Sequence, residues 1–450
     1  KNLKAIAVHG TGKIDVADKE KVKALRKEIR AVKAPAGNWN SMLGNEKTKK
    51  NICFGCIDGC IRQDYHPDKG RSGKYFCHGA LFYEIRAQRY YGEVTDVPYL
   101  VNKLCDEYGV DCRAIEAVIY WLTRCSKSGT LTEEETGLPL TKIGSLEFFE
   151  AMIKKIAFRD GIGDLLADGV YKAAQRLGKD SEKLITDYMV KTGETQTYGA
   201  RLYVISALLY AFEPRLPIQQ LHEVTSLMMP WLGRHMQEVA HQKGGPEPTA
   251  YMTPELIGAI AKRMWGDETC IDLSTYDKKG LAAARIQDRE QAKECLQLCD
   301  FVYPVMHSPN TPDHMGDPTL EGQIFSAVTG RQLDEQDLMA IGERVYNLQR
   351  AILTREGRRG RDDDSIEDFN FDKPLRSEWN NTECIAPGKN GEPFPRQGLT
   401  IDRDGFEQMK DEFYTVREWD VATGFQTRAK LEALGLGDVA DRLESEGLLA

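Results

Sequence analysis

Asp96-Val-Pro-Tyr-Leu-Val-Asn-Lys-Leu-Cys-Asp106-Glu-Tyr-Gly109-Val-Asp111-Cys112-Arg-Ala-Ile-Glu-Ala-Val-Ile-Tyr-Trp-Leu122 reads as two helices that meet at a sharp corner. Asp96 stands at an N-cap position, Pro98 suits a first turn, and Val97, Leu100, Val101, Leu104 and Tyr108 recur at helical spacing. Gly109 ends that run, because a left-handed terminal residue costs glycine nothing. Ile115, Val118, Ile119 and Leu122 then begin a second apolar stripe that reaches nearly to Gly129. Outward from this corner the same period predicts helices over 18–32, 146–158, 163–177, 202–212, 254–264, 282–299, 335–355 and 428–434. Period-two alternation is scarce, so the expected fold class is mainly α. Two polar stretches interrupt the pattern, 242–254 and, at greater length, 361–400, which must wrap a surface or be held by contacts.

The chain of 450 residues is long enough for several cores, and 41% apolar with 29% charged residues is ordinary for a globular protein. Lys plus Arg number 60 against 69 Asp plus Glu, a net charge of −9 with both signs mixed, which speaks against sequence-independent binding to nucleic acid. The longest apolar run, 202–212, is about half of what a bilayer span needs, so no membrane span is expected. There is no leader of the secretory type, and the chain starts at Lys1, so a segment upstream is expected. The 11 cysteines cluster instead of spreading as pairs, which suggests metal or redox ligands in a reducing, cytoplasmic compartment.

Cys53-Phe-Gly-Cys56-Ile-Asp-Gly-Cys60 is the strongest local signal. Three thiols within eight residues, with Gly55 and Gly59 letting the backbone fold round a bulky object, fit a [4Fe-4S] cluster that takes its fourth ligand from elsewhere. Zinc is the competing use. Glu294-Cys295-Leu-Gln-Leu298-Cys299 offers two candidates for the fourth thiolate, and Lys49, Lys50 and Arg62 can offset the charge of a thiolate-bound cluster. At the corner, Asp106 would sit in the last turn of its helix, where the dipole disfavours a carboxylate by roughly 0.3–1 kcal/mol. A ligand bearing N–H donors would compensate it; an ordinary surface aspartate is the plainer reading.

Taken in order, Leu3 to Val8 with His9-Gly-Thr-Gly12, the Cys53 group, Asp106-x-x-Gly109-Val110-Asp111, Glu294-x-x-Gln297-Leu298-Cys299, Ile341-Gly-Glu-Arg-Val-Tyr-Asn-Leu-Gln-Arg350 with Thr354-Arg-Glu-Gly357, Arg417-Glu-Trp-Asp420 and Thr427-Arg-Ala-Lys-Leu431 resemble the tungsten-containing aldehyde:ferredoxin oxidoreductase family. The resemblance implies tungsten held by two pterins of the molybdopterin type, beside one [4Fe-4S] cluster. Cys53, Cys56, Cys60 and Cys299 would hold the cluster. Asp106, Gly109, Val110 and Asp111, and Glu294 with Leu298, would contact the two pterins, although Val110 stands for Leu, and Glu294 and Gln297 stand for Asp and Gly. It also implies the two helical C-terminal domains of that fold without the N-terminal sheet domain: 1–50 as the tail of that domain and a connector, 51–210 with the cluster loop and first pterin segment, and 211–450 with the second. The interval between Val8 and Cys53 is shorter than the family pattern, so a piece is expected to be missing near 37–45.

Departures bear on the substrate. Aldehyde-oxidising members carry a D-P-R-G type segment where this chain has Glu194-Thr-Gln-Thr-Tyr198-Gly-Ala-Arg201, and Glu213-Pro-Arg215-Leu-Pro217 follows. Cys112 after Asp111 resembles the catalytic subunit of class II benzoyl-CoA reductase, and a thiolate there suits a soft ligand role on tungsten. Cys125 is the competing thiol. The expected activity is reduction of an aromatic acyl-CoA to a cyclic diene. Oxidation of aldehydes and a cluster-only electron-transfer or scaffold role are the alternatives. Ring reduction needs proton donors in a dry pocket, for which His66, His78, Glu84 and His222 are candidates. An iron–sulfur subunit or ferredoxin as electron partner, an oligomeric state and an additional divalent ion complete the expectations.

Overall fold

The computed structural model describes residues 6–33, 45–57, 60, 62–75 and 77–450, with the side chains of 45, 75 and 77–81 outside the description. The expectation of a shortened piece at 37–45 falls almost wholly outside these residues.

Helix α1 (Lys19–Val32) starts where the Asp18 carboxylate accepts the Lys21 amide at 2.8 Å, and it lays Leu25 and Ile29 on Val302, Tyr303 and Leu320. A three-stranded antiparallel sheet follows, β1 (Thr48–Lys50), β2 (Gln63–Tyr65) and β3 (Gly73–Tyr75), in the order β1-β2-β3 with Thr48 opposite Tyr65 and Gln63 opposite Tyr75. The cysteine loop joins β1 to β2.

The first large core is built from α2 (Cys77–Tyr91), α3 (Val97–Tyr108), α4 (Cys112–Lys127), α5 (Glu133–Thr136), α6 (Leu146–Phe158), α7 (Ile162–Leu166) and α8 (Val170–Leu177). Tyr83, Val101, Trp121, Leu122, Phe148 and Phe149 are buried at its centre. Asp96 makes no cap bond to α3. Its carboxylate instead accepts Lys47 Nζ at 2.9 Å, Tyr65 Oη at 2.7 Å and the Asp68 amide at 2.8 Å, pinning the small sheet to the helix start. The single helix expected over 163–177 is broken at Gly169, whose φ of 87° no right-handed helix contains.

The second large core begins at Val190. Every residue of α9 (Ile205–Phe212) is buried, as expected of a helix apolar all round. It is followed by α10 (Ile218–Gln242), α11 (Pro254–Trp265), α12 (Lys279–Cys295), α13 (Leu320–Thr329), α14 (Glu335–Arg355), α15 (Phe369–Asp372) and α16 (Arg403–Arg417), then α17 (Arg428–Ala433) and α18 (Gly437–Ser445) against α14. The central helix is α12, which ends at Cys295 and not at 299. A Cβ at Gly342 would lie 1.7 Å from the Asp288 carbonyl oxygen, so α14 approaches α12 backbone to backbone.

The 361–400 excursion is anchored at its root. Asp364 is fully buried and accepts Arg350 Nη1 and Nη2 at 2.8 and 2.7 Å, Arg358 Nη2 at 2.6 Å and Tyr414 Oη at 2.7 Å. Further along, β4 (Ile385–Pro387) pairs with β5 (Pro393–Pro395). The fold is thus mainly α, and no helix among the described residues is long and apolar enough to cross a membrane.

Candidate cofactor and redox site

The cysteine loop is shaped by Gly55, in the left-handed region at φ 73°, and by the Cys56 amide, which donates to the Cys53 carbonyl at 3.0 Å. Cys53 is exposed, and Cys56 and Cys60 are half-buried. Arg30 of α1 donates to the Ile57 carbonyl and Lys74 donates to that of Ile52 at 2.9 Å, so the loop is tied on both flanks. Cys299 arrives from the far side of the sequence. Past the end of α12, Gln297 takes φ 55°, and the Cys299 carbonyl accepts the amides of Val302 at 3.0 Å and Tyr303 at 2.9 Å.

Burial raises the affinity of the Cys299 thiol for its proton, and Asp300, Cys60 and Cys56 add to the effect. Cys56 and Cys60 therefore lie within electrostatic reach of Cys299. Cys299 is nonetheless exposed at its surface, as is Cys295, the other candidate, at the last residue of α12. Among the described residues no three His, Cys, Asp or Glu side chains gather closely enough for a single ion.

At the α3–α4 corner Gly109 is left-handed (φ 67°, ψ 37°), its amide bonds the carbonyls of Asp106 and Cys105, and the Val110 amide also reaches Cys105 O at 2.9 Å. The Asp111 carboxylate caps α4, accepting the amides of Arg113 at 2.8 Å and Ala114 at 2.9 Å, so its role is local. Asp106 is exposed and pairs with Lys103 at 2.7 Å. Nothing lies within 4 Å of a Cβ built on Gly109. The corner is thus open space beside an exposed, lysine-paired carboxylate, with room for a ligand bearing N–H donors.

Cys112, the first residue of α4, is half-buried, and burial, seconded by Asp111 and Asp106, pushes its thiol up to about 11. Tyr83 Oη donates to the Cys112 carbonyl at 2.9 Å. Arg113 ties the corner to the Glu194–Arg201 segment through Glu116, the Thr195 carbonyl at 2.8 Å and Thr197. Cys125 is fully buried in the first core, where its thiol is pushed up to about 12 by burial alone.

His222 Nδ1 meets Asp300 Oδ2 at 2.7 Å. Burial opposes ionisation of Asp300, yet the His222 hydrogen bond and charge hold its carboxyl below the usual range. The His222 ring also faces Tyr198 at 5.8 Å and Phe301 at 5.6 Å between centroids. Tyr198 takes a left-handed φ of 52°, and the next amide, Gly199, donates to the half-buried Glu378 at 3.1 Å. Trp379, brought by the 361–400 excursion, packs on Tyr198 at 5.7 Å.

The structure therefore gathers His222 beside the residue following Cys299, and Cys112 beside the first pterin segment. Glu294 pairs with Arg215, and Leu298 is half-buried against the α1 cluster. Glu84 is buried in α2, His66 is exposed, and His78 belongs to the first turn of α2 with its side chain outside the described residues. Sequence reasoning missed Asp300, Tyr198 and Trp379. Only Asp300 carried a signal, its adjacency to Cys299.

The family profile described as "Aldehyde ferredoxin oxidoreductase, domains 2 & 3" matches residues 15–436. The tungsten-containing aldehyde ferredoxin oxidoreductase of Pyrococcus abyssi is 23% identical over 482 aligned positions, covering 97% of this chain and 67% of that protein. The "Aliphatic sulfonate oxidoreductase, WOR-like subunit" of Pyrococcus furiosus is 26% identical over 42% of this chain and 36% of its own length. Among solved structures, the active-site complex BamBC of benzoyl coenzyme A reductase with 1,5-dienoyl-CoA superposes with a TM-score of 0.62, at 18% identity, covering 98% of this chain and 69% of that one.

Proposed function

This chain belongs to the aldehyde ferredoxin oxidoreductase family and is an oxidoreductase of that tungsten-containing type, and from that premise we propose that it reduces an aromatic acyl-CoA, of the benzoyl-CoA kind, to a cyclic diene. The observation that carries the reading is Cys112, a half-buried thiol on the first turn of α4, one residue from the cap of the proposed pterin corner. A thiolate there would add a soft protein ligand to the metal. Likeness of fold to a complex solved with a dienoyl-CoA supports it.

In this reading Cys53, Cys56, Cys60 and Cys299 hold one [4Fe-4S] cluster. Asp106 and the Gly109 turn receive one pterin, and Glu294 with Leu298 the other. When bound, these groups supply two-electron exchange at tungsten and one-electron transfer through the cluster. The chain's own residues do the rest. His222, oriented by Asp300, holds a proton at Nε2 for the ring, and Cys112 lines the metal side. Tyr198 and Phe301 flank the His222 ring and limit water there, and Trp379 backs Tyr198 from the outside. A separate iron–sulfur subunit or ferredoxin delivers the electrons, and an additional divalent ion has no assigned ligands.

Oxidation of aldehydes is the second reading, favoured by the activity named for the Pyrococcus abyssi relative. Anaerobic assay of the full-length protein with its electron partner separates the two. Conversion of benzoyl-CoA to a dienoyl-CoA with a low-potential donor is the expected result. Viologen reduction by simple aldehydes, with benzoyl-CoA left intact, would overturn it.

A further inference from the structure

Beneath the turn that carries Cys299 lies a set of charges shut away from water. Glu223 on α10, Arg289, Glu290 and Lys293 on α12, and Glu321 on α13 are 3%, 1%, 3%, 1% and 0% exposed. Four of them pair. Lys293 Nζ is 2.5 Å from Glu290 Oε1. Arg289 Nε is 3.4 Å from Glu223 Oε1, the oxygen that also accepts Trp265 Nε1 of α11 at 3.0 Å. Neither Glu290 oxygen nor Arg289 Nε or Nη1 has a well-aligned hydrogen bond, but each of those side chains has an opposite charge at ion-pair distance; Glu321 is left over, and neither of its oxygens has a donor beyond the backbone of its own residue. Fully ionised, three carboxylates against two cations would leave one net negative charge in the interior. A lone buried carboxylate without donors is more cheaply held as the neutral acid.

Tyr303 links this set to the cysteines. Its amide donates to the Cys299 carbonyl at 2.9 Å, and its own carbonyl accepts Lys293 Nζ at 2.7 Å. The buried phenol feels Glu321, Cys299 and Cys56 at once. Resting on the reading that Cys53, Cys56, Cys60 and Cys299 hold an iron–sulfur cluster, we propose that Glu321 is a redox-linked proton site, which takes up a proton when that cluster gains an electron.

The balance is one electron from the low-potential iron–sulfur donor and one proton from solvent. The electron adds one negative charge near a carboxyl that has no cation of its own, and the proton cancels it. Reoxidation releases both. Burial already pushes the Glu321 carboxyl up to about 7, with Arg289 and Lys293 pulling it down and Glu223 pushing it up. Burial pushes Glu290 to about 7 as well, against Lys293, with Glu223 and Asp300 adding to the rise; Asp300 is itself bonded to His222. Glu290 keeps its lysine in either redox state, which leaves Glu321 as the group that responds.

The test is a redox titration of the full-length holoprotein from about pH 6 to 9, following the cluster by electron paramagnetic resonance. Between the Glu321 pKa of the oxidised protein and the higher one of the reduced protein, the reduction equilibrium should fall tenfold per pH unit, which is about 59 mV for one electron. Glu321→Gln should abolish the slope while leaving iron content and the line shape unchanged, and Glu290→Gln should keep it. A potential independent of pH in the unmodified protein, or a slope that survives Glu321→Gln, would overturn the inference. Should the variant not fold, infrared difference spectra of the unmodified protein decide. A protonated carboxyl band gained on reduction and shifted in D2O supports the proposal; its absence overturns it. Absence of any iron–sulfur signal would instead overturn the cluster reading itself.

Discussion

Replacing Asp364 with alanine removes the acceptor at the root of the excursion that carries Glu378 and Trp379 to the His222 site. Its side chain is 0% exposed, against 3% for Arg350 and 11% for Arg358, so two guanidiniums lose their common counter-ion where water cannot replace it. Tyr414 Oη and Arg350 Nη1 lose their acceptor in the same step, while Arg350 Nη2 keeps only the Gly424 carbonyl at 3.0 Å. Breaking a buried pair by removing one partner costs about 3–5 kcal/mol, because the remaining charge stays desolvated. With two cations stranded, the upper end of that range is expected. Burial alone would raise the affinity of Asp364 for its proton, but Arg350, Arg358 and Tyr414 outweigh it and hold the carboxyl below the usual range. The stabilisation is therefore fully present above the unfolded carboxylate pKa of about 3.9 and is lost as pH falls through the lower folded value. Urea unfolding at pH 7, followed by near-ultraviolet circular dichroism, measures the difference. Asp363→Asn, which removes only a pair with the exposed Arg359, is the control and should leave the midpoint in place. A loss under about 1 kcal/mol for Asp364→Ala would refute the view that this carboxylate anchors the excursion.

Gly342→Ala places a methyl group 1.7 Å from the Asp288 carbonyl oxygen. Alanine normally stabilises a helix interior by roughly 0.5–1 kcal/mol, so a net loss of about 1–3 kcal/mol or more in urea unfolding tests the close approach of α14 to α12, and a gain would contradict it. Cys112→Ser should remove one sulfur scatterer from the metal's X-ray absorption spectrum; an unchanged sulfur count would make Cys112 a lining residue only. His222→Gln should lower kcat about 10²–10⁴-fold, the range for losing a general acid, with KM little altered. A loss below tenfold would remove His222 from the proton path.

The α3–α4 corner was legible because its signals are local: Gly109 needs the left-handed region, and Asp111 reaches amides two and three residues ahead. Helix α10 was not, because Pro230 and a run of methionine and histidine blur its apolar period. The end of α12 was placed late because Leu296 and Leu298 continue the helical spacing, while the turn depends on Gln297 adopting φ 55°, which residue type does not announce. Asp96 looked like a cap and instead serves Lys47 and Tyr65, partners from the preceding sheet. Trp379 reaches Tyr198 across 181 positions only because Asp364 ties down the excursion's root, a connection no short pattern contains. Of the proposed cluster ligands, the early three stand in one motif. Choosing Cys299 over Cys295 rests on the family resemblance, which no local pattern replaces.

The central claim is that Cys53, Cys56, Cys60 and Cys299 meet on one cluster. Iron analysis with Mössbauer spectroscopy on the full-length protein, compared with Cys299→Ala and Cys295→Ala, tests it most directly. The account predicts about four irons per chain in the unmodified and Cys295→Ala proteins, and a lost or iron-depleted cluster in Cys299→Ala. An intact cluster in Cys299→Ala, or zinc in place of iron in the unmodified protein, would contradict it.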